Sequence, residues 1–342
     1  MGNKLIELME SRQIDIKDLQ GKILVVDAYN QLYMFLATIR GPDGTLLTDS
    51  HGATTSHLVG LFHRFGRLML SGLRFAFVFD GVAPDEKRQE QFRRAKLKQE
   101  ATRKYEEAKE RGDEDDMKKY AARTSRLTKE MIIEAKRLIR AMGLPVIEAP
   151  GEGEAQAAHI VKRGDAYAVM SQDADCLIFE APRLIKNLTI IGKRKQPGQY
   201  ATRDVPPELI ILDENLQRLH LIQDQLICMA LLTGTDYNYG GIKGIGPKKA
   251  LALATKNHHP AGIFTEANWD DHFDTDWHKL YDLIKHPDVT NEYQITFGKP
   301  QPDEIRHILI HDHDFAEDRI EKLIAELAAV QPKNAQLSTW FS

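Results

Sequence analysis

Acidic residues end or follow several short apolar segments of this 342-residue sequence. They are Asp27, Asp80, Glu152, Glu154, Asp173, Asp175 and Asp236. If such carboxylates lie close together, they repel one another unless a cation neutralises them. Oxygen ligands suit Mg²⁺ or Mn²⁺, and two such ions can activate a water and stabilise the leaving oxygen in phosphodiester hydrolysis. The acids therefore predict a metal-dependent hydrolytic site.

Each acid taken alone has a simpler interpretation. A single aspartate at a strand end is more often a turn or cap residue, and Glu152 and Glu154 would suit the positive end of a helix. The pair Asp173 and Asp175 has a spacing that is common in turns. Repetition at the ends of several strands is harder to explain by separate caps, so the pattern favours a shared metal site.

A basic segment at residues 87–104 contains eight basic and only two acidic residues. Lys87 and Arg94 are seven positions apart, about two helical turns, so both side chains could project from one face of a helix. From there they could hold a phosphate that is being cut. A solvated helix face explains the composition equally well.

A glycine-rich tract at residues 240–250 lies in a stretch, 237–265, that has no acidic residue. Glycines just before a predicted helix leave backbone amides open to a phosphate, and the helix N-terminus favours negative charge. We expect sequence-independent contacts with a DNA backbone here, made by Lys243, Gly244, Gly246, Lys248 and Lys249. A tight turn between helices with solvated lysines is the alternative.

The elements that must position these residues alternate between strands and helices. Segment 22–27 is predicted to be a strand buried on both faces and segment 75–80 another buried strand, and 144–147 and 167–170 are predicted to be two more strands. Helical spacing occurs next to them at 29–39, 55–70, 128–142 and 154–163. This alternation predicts an α/β fold with a central, mostly parallel sheet, and it places the acids beyond the carboxyl ends of the strands. Two charged helices are expected within residues 84–126, and mainly helices after residue 221.

Composition excludes several classes of protein. With 46 Lys and Arg, 50 Asp and Glu and 42% hydrophobic residues, the chain suits a globular protein of about two domains. Two cysteines, Cys176 and Cys228, exclude a disulfide scaffold and are expected in the core. No apolar run approaches the ~18 residues of a membrane span, so we expect an intracellular protein without membrane contact. Histidines 307, 311 and 313 lack the frame of a zinc site.

Taken together, the motifs resemble the flap endonuclease family of structure-specific 5′ nucleases, in particular its archaeal members. They are Val-Val-Asp-Ala-Tyr-Asn (25–30), Thr-Ser-His-Leu (55–58), Val-Phe-Asp-Gly (78–81), Ala-Pro-Gly-Glu-Gly-Glu-Ala-Gln-Ala (149–157), Ser-Gln-Asp-Ala-Asp-Cys-Leu (171–177) and the segment 233–250, which begins Thr-Gly-Thr-Asp-Tyr. The resemblance covers nearly the whole chain. It implies a PIN-like 5′ nuclease fold with a helical arch and a helix–turn–helix element that binds duplex DNA.

The resemblance also implies roles for individual residues. The acids would hold two Mg²⁺ ions, for which Mn²⁺ could substitute. One ion would be served by Asp27, Asp80, Glu152 and Glu154, the other by Asp173, Asp175 and Asp236. Catalytic roles are implied for Lys87, Arg94 and Asp175, and a K⁺ ion at the glycine-rich tract. Further contacts with DNA are implied for Gly2, Tyr33, Arg40, Arg64, Glu152, Gly234 and Asp236.

The same resemblance divides the chain into regions. An N-terminal nuclease region spans 1–98, the arch 84–126, and an internal nuclease region 116–258, which includes the DNA-binding element at 233–256. A helical region follows at 259–330 and a tail at 331–342. The tail resembles a motif that binds a sliding clamp through Leu337, Trp340 and Phe341, although Asn334 stands where the family has glutamine. A tail that folds back onto its own body is the alternative.

These features predict a monomeric two-metal 5′ flap endonuclease with 5′-to-3′ exonuclease activity. It would act on branched DNA in replication, in Okazaki fragment maturation, and in repair, in the cytoplasm if the chain is archaeal. Two alternatives stay open: a junction resolvase or exonuclease of the same superfamily, and a DNA-binding scaffold without catalysis. Seven carboxylates argue against a scaffold, because they would weaken phosphate binding unless metals neutralised them.

Overall fold

The computed structural model describes residues 4–41, 44–113, 116–117, 120, 124–190, 193–195 and 202–329. Gly2 and the tail residues Leu337, Trp340 and Phe341 lie outside these ranges, as does Asn334. Several residues of the second charged helix expected before residue 126 also lie outside them. The predictions on those residues stay predictions.

A seven-stranded sheet forms the centre of the fold. Its strands are β1 Arg12–Gln13, β2 Ile23–Asp27, β3 Arg74–Phe79, β4 Val146–Glu148, β5 Ala168–Met170, β6 Arg183–Lys186 and β9 Glu208–Ile211. Two further strands, β7 Lys193–Lys195 and β8 Thr202–Asp204, pair with each other in a separate sheet. The strand order is β1-β9-β6-β5-β2-β3-β4. The five strands from β6 to β4 are parallel, whereas β9 and β1 pair antiparallel. The predicted α/β fold with a mostly parallel sheet is confirmed.

Helices make up most of the remaining structure. They are α1 Ala28–Thr38, α2 Ser56–Val59, α3 Gly66–Leu70, α4 Arg88–Glu110, α5 Lys129–Ala141, α6 Gly153–Lys162, α7 Asp175–Ile178, α8 Leu212–Leu219, α9 Gln223–Thr233, α10 Pro247–Lys256, α11 Pro260–Glu266, α12 Trp277–Lys285, α13 Pro302–Arg306 and α14 Glu317–Ala329. As predicted, the described chain after residue 221 is mainly helical. Among the described helices, none combines the length and apolar character needed to cross a membrane.

The core lies on both faces of the central strands. All five residues of β2 are buried, as are the last five of β3. On one face Phe65 packs edge-to-face against Phe75 and Phe77, with ring centroids 4.9 and 4.8 Å apart. On the other face Val25 and Val78 pack in a cluster with residues of α6 and α9. Burial on both faces explains why these strands are continuous apolar runs in the sequence.

The predicted elements differ from the structure in local detail. Strand β4, predicted at 144–147, begins at Val146 rather than Leu144, because the Leu144 N–H donates to the Ile139 carbonyl and closes α5. The predicted helix at 55–70 is interrupted by a π-helical segment, Gly60–Phe65. The strands β1, β6 and β9 were not predicted, since their short segments carry no clear periodicity. Both cysteines are buried, as expected.

Candidate active site

A cavity of about 840 Å³ lies at the carboxyl edge of the parallel strands. Strand β2 ends in an acid, and the segments that follow β3, β4 and β5 bring more acids to the same edge. Six of the predicted residues line the cavity, namely Asp27, Asp80, Glu152, Glu154, Asp173 and Asp236. The seventh, Asp175, lies beside Glu154 and Asp173. The tertiary structure therefore brings all seven predicted carboxylates together.

Asp27 serves both as a helix cap and as part of the acidic pocket. Its Oδ1 accepts a hydrogen bond from the Asn30 N–H at 3.0 Å, which caps α1. Its Oδ2 accepts a hydrogen bond from the Ser171 hydroxyl at 3.1 Å. The cap interpretation is thus right for one oxygen, but the side chain is only 3% exposed and lines the acidic cavity.

Asp80 depends on a neighbouring glycine. The Gly153 N–H, at the start of α6, donates to Asp80 Oδ1 at 2.8 Å. A Cβ atom at position 153 would lie 2.6 Å from that oxygen, which is closer than real Cβ contacts. A larger residue at position 153 would therefore displace the Asp80 carboxylate, which favours the glycine that separates Glu152 from Glu154.

Burial and mutual repulsion raise the pKa values of the pocket acids. Burial, together with the nearby Asp80, raises the pKa of Asp27 from 3.8 to about 7. Burial, with Asp175 and Asp173 adding repulsion, raises the pKa of Glu154 well above its ordinary value. Burial and Asp173 do the same for the pKa of Asp175. Burial also raises the pKa of Asp80. Such a pocket needs positive charge to keep its carboxylates ionised.

Three of the acids are arranged so that they could hold a metal ion. Glu154, Asp173 and Asp175 each offer a carboxylate oxygen, and the three oxygens lie within 4.8 Å of one another. Hard divalent cations prefer such an oxygen donor set. The raised pKa values of Glu154 and Asp175 fit a cation site, because a bound cation would offset the repulsion that raises them. Within the described ranges, no other group of His, Cys, Asp or Glu is arranged in this way.

Two basic side chains at the start of the basic segment reach the acidic pocket. The Lys87 ammonium forms an ion pair with Glu152 and lies 3.7 Å from Asp236 Oδ2. Arg94, in the second turn of α4, donates from Nη2 to Asp236 Oδ1 at 2.5 Å. The structure thus brings Lys87 and Arg94 into one pocket, as their spacing suggested. Their contact with a scissile phosphate stays a prediction.

Tyr237 contacts one of the pocket acids, although the sequence suggested no role for it. Its hydroxyl donates a hydrogen bond to Glu152, and the Lys87 Nζ lies 5.2 Å from the centroid of its ring. Burial raises the pKa of Tyr237 well above its ordinary value, so the phenol stays a neutral donor. Its position directly after Asp236 is the only sequence signal that could have drawn attention to it.

The predicted DNA-contacting side chains fall in different places. Tyr33 is 38% exposed and lines the same cavity as the acids. Arg40 and Arg64 are not among the residues that line it. Arg40 donates to the Gly44 carbonyl at 2.8 Å, and Arg64 donates to the Thr189 carbonyl at 2.9 Å. Burial lowers the pKa of both guanidinium groups.

The glycine-rich tract connects α9 to α10, and Gly246 is the residue directly before α10. A Cβ atom at Gly244 or Gly246 would meet no atom within 4 Å, so the backbone there is open to solvent. At Gly234, by contrast, a Cβ would lie 2.6 Å from the backbone nitrogen of Gly241, which shows tight packing at the end of α9. The three predicted lysines beside the tract are exposed, namely Lys243, Lys248 and Lys249.

Fold and site together define a class of protein. A parallel α/β sheet with a cluster of carboxylates at its carboxyl edge, faced by the basic segment 87–104, has the features of a metal-dependent nuclease. The basic helix can attract the phosphates of a nucleic acid, and the carboxylates can hold the cations that cutting it requires.

Comparisons with known proteins agree with this class. A model of the XPG N-terminal domain matches residues 3–101, and a model of the XPG I-region matches residues 143–236. Flap endonuclease 1 of Pyrococcus horikoshii is 43% identical over 343 residues, which cover 100% of this chain and 98% of that protein. The chain belongs to the flap endonuclease 1 family, and it is therefore a nuclease.

Solved structures give the same picture of the fold. Flap endonuclease-1 from Methanococcus jannaschii has a TM-score of 0.76 at 35% identity, and the match covers 96% of this chain and 98% of that one. The catalytic core of Rad2, solved in complex with DNA substrate, has a TM-score of 0.67 at 22% identity and covers 93% and 96%. At that identity, the second match shows a shared fold alone.

Proposed function

We propose that this protein is a structure-specific 5′ flap endonuclease with 5′-to-3′ exonuclease activity that acts on branched DNA in replication and repair. One observation carries the proposal: in a member of this family, seven carboxylates and two basic side chains converge on one cavity at the edge of the sheet. We place the protein inside the cell, where it would work as a monomer.

The pocket is suited to two Mg²⁺ ions, for which Mn²⁺ could substitute. One set of ligands is Asp27, Asp80, Glu152 and Glu154, and the other is Asp173, Asp175 and Asp236. When bound, the ions supply an activated water and neutralise the oxygen that leaves. The raised pKa values of Asp27, Glu154 and Asp175 support this assignment, since a bound cation would favour the ionised form of each carboxylate.

Lys87 and Arg94 hold the phosphate that is cut. Both side chains already reach the pocket, where they contact Glu152 and Asp236. A phosphate would offer these two side chains negatively charged oxygen acceptors, as the carboxylates of Glu152 and Asp236 do. Water adds to the phosphorus, the bond to the 3′ oxygen breaks, and that oxygen takes up a proton. The products are a 5′-phosphate and a 3′-hydroxyl.

The DNA is held by shape and backbone rather than by base sequence. Tyr33, which is partly exposed, stacks on a base beside the cut. The open backbone at Gly244 and Gly246, together with a K⁺ ion, binds the phosphate backbone of the duplex. Further contacts with DNA come from Gly2, Arg40, Arg64 and Gly234. The helical arch comprises residues 84–126, of which α4 is the first helix.

A cleavage map on a double-flap DNA tests the function. We expect Mg²⁺-dependent cutting near the junction of single and double strands, and no cutting in EDTA. The same preparation is compared on blunt duplex and on four-way junctions at one Mg²⁺ concentration. Preference for four-way junctions would indicate a resolvase instead, and the absence of any Mg²⁺- or Mn²⁺-dependent product would indicate a non-catalytic scaffold.

The tail supplies a separate proposal, binding to a sliding clamp through Leu337, Trp340 and Phe341. Support comes from the resemblance of these three apolar residues to the hydrophobic part of the family's clamp-binding motif. Removal of residues 331–342 should abolish clamp binding in a pull-down and leave flap cleavage unchanged when the clamp is absent. Unchanged clamp binding by the truncated chain would contradict the proposal.

A further inference from the structure

We propose that Glu90 is a positioning residue for this cleavage reaction: it holds the Arg94 guanidinium in the orientation that faces the acidic pocket. The inference rests on the proposed function, because it concerns how one of the phosphate-holding side chains is placed. Glu90 does not itself reach the reacting atoms, and its effect is transmitted through Arg94.

Glu90 lies in the first turn of α4 and its side chain is only 3% exposed. Its Oε1 accepts hydrogen bonds from Arg94 Nε at 2.8 Å and from Arg93 Nη2 at 2.7 Å. Its Oε2 accepts another from Arg93 Nε at 2.6 Å. Burial alone would raise the pKa of Glu90, but these two arginines lower it below its ordinary value. The carboxylate is therefore charged, buried and bound by three charge-assisted hydrogen bonds.

The contact with Glu90 restricts the direction of the Arg94 side chain. The guanidinium is planar and rigid, so the bond from Nε to Glu90 fixes the orientation of the whole group, including its Nη atoms. Nη2 of the same guanidinium donates to Asp236 Oδ1 at 2.5 Å. Arg94 thus spans from its own helix to a pocket acid 142 positions further along the chain.

Arg93 secures Glu90 from the other side. The Arg93 guanidinium, bound to both oxygens of Glu90, stacks on the ring of Tyr239 with its Cζ 3.6 Å from the ring centroid. Tyr239 and Asp236 belong to the same short loop after α9. The start of α4 is therefore attached to this loop at two points, and Glu90 is the residue that both attachments share.

A purely structural role is the competing explanation. An acid in the first turn of a helix is stabilised by the helix dipole, and it needs no functional reason to be there. However, Glu90 is one of only two acids among residues 87–104, and it lies beside the pocket where a phosphate must bind. A negative charge at that place weakens phosphate binding unless it is used to orient the neighbouring arginines.

The test is a double-mutant cycle on flap cleavage with the full-length protein. Glu90→Gln, Arg94→Ala and the double variant are compared with the wild type in single-turnover cleavage, flap binding and thermal unfolding. We expect Glu90→Gln to slow the single-turnover rate by about 10- to 100-fold, because a misplaced catalytic group costs about that much. Its affinity for flap DNA should stay within about 3-fold of the wild-type affinity. In the Arg94→Ala background, Glu90→Gln should cause no further loss.

The matched control is Glu107→Gln, which removes another arginine–glutamate contact on α4, the Arg103 Nη1 to Glu107 Oε1 pair at 2.5 Å. This variant should cut at the wild-type rate. Glu90→Asp gives a second test, because its shorter side chain keeps the charge but not the reach to Arg94, and it should also be slow.

Three outcomes would overturn the inference. Losses that multiply in the double variant would show that Glu90 acts independently of Arg94, and a wild-type rate for Glu90→Gln would show that it has no role in cleavage. In both of these cases the proposed function survives, because the wild type still cuts flaps. A wild type that cuts no flap would overturn the proposed function and this inference with it.

Discussion

The ammonium group of Lys87 forms an ion pair with the carboxylate of Glu152, although the two residues reach the pocket from different parts of the chain. Lys87 ends the short turn before α4, and Glu152 directly precedes α6. Glu152 also accepts the hydrogen bond from Tyr237. One carboxylate of the pocket is therefore held by a cation and a phenol at once.

This relationship predicts that Lys87 matters more for the chemical step than for binding. Lys87→Met removes a positive charge beside the acids and keeps a long side chain. We expect the single-turnover rate on a flap substrate to fall by about 10²- to 10³-fold, the usual cost of removing one charge-stabilising group. The measurement is rapid-quench cleavage with enzyme in excess.

The control for Lys87 is Lys96→Met, which removes an exposed lysine from the adjoining helix α4. It should change the salt dependence of binding slightly and the cleavage rate hardly at all. If both variants lose activity equally, the basic segment acts only through its total charge, and a specific role for Lys87 is excluded.

Asp175 is expected to be essential for cleavage and dispensable for DNA binding. Asp175→Asn keeps the size of the side chain but removes one of the three carboxylates that lie within 4.8 Å of one another. We expect flap affinity within about 3-fold of the wild type and a cleavage rate at least about 10²-fold lower. Binding is measured by fluorescence anisotropy in Ca²⁺, and cleavage in Mg²⁺.

Asp282→Asn, at an exposed acid on α12, is the control and should behave like the wild type. Full turnover by Asp175→Asn would exclude the metal role of Asp175.

The raised pKa of Asp27 makes the stability of the metal-free protein depend on pH. The folded state holds a proton on Asp27 up to about pH 7, whereas the ordinary pKa is 3.8. The folded state therefore binds more protons in this window, and stability falls as the pH rises through it. Asparagine cannot ionise. In EDTA, the free energy of unfolding of Asp27→Asn relative to the wild type should therefore rise by roughly 2–4 kcal/mol from about pH 4 to about pH 8.

Urea unfolding at a series of pH values measures this gain. The exposed Asp270→Asn is the control and should show no such trend. With Mg²⁺ present, the wild type should recover its stability at high pH, because a cation that binds only the folded state stabilises it. A stability difference between Asp27→Asn and the wild type that stays flat from acid to alkaline pH in EDTA would contradict the assignment of this pKa.

The lysines beside the glycine-rich tract are expected to contribute to the salt dependence of DNA binding. Lys243→Ala and Lys248→Ala should each flatten the slope of log K against log salt concentration by about one unit for every phosphate that the lysine would have neutralised. The control is Lys322→Ala, which removes the charge of an exposed lysine on α14, outside the glycine-rich tract, and should leave the slope unchanged. An unchanged slope for the double variant Lys243→Ala, Lys248→Ala would remove the tract from the DNA interface.

Much of the fold could be predicted because its signals are local. Strands β2 and β3 are continuous apolar runs that end in or before an acid, and that pattern needs no knowledge of the partners they pair with. Helix α5 shows its amphipathic spacing and its Thr128 cap in neighbouring residues. The short strands β6 and β9 could not be predicted in the same way, because they are strands only through pairing with each other and with β5 and β1.

By itself the sequence determined the types of residue that the site has to work with: carboxylates after apolar strands, a basic helix and an open glycine turn. Only the tertiary structure decided which of these groups meet. Tyr237 contacts Glu152 across 85 positions, and Arg94 contacts Asp236 across 142. Such pairs leave no periodicity in the sequence, since their closeness comes from the strand order of the sheet and from the packing of α4 against the loop after α9.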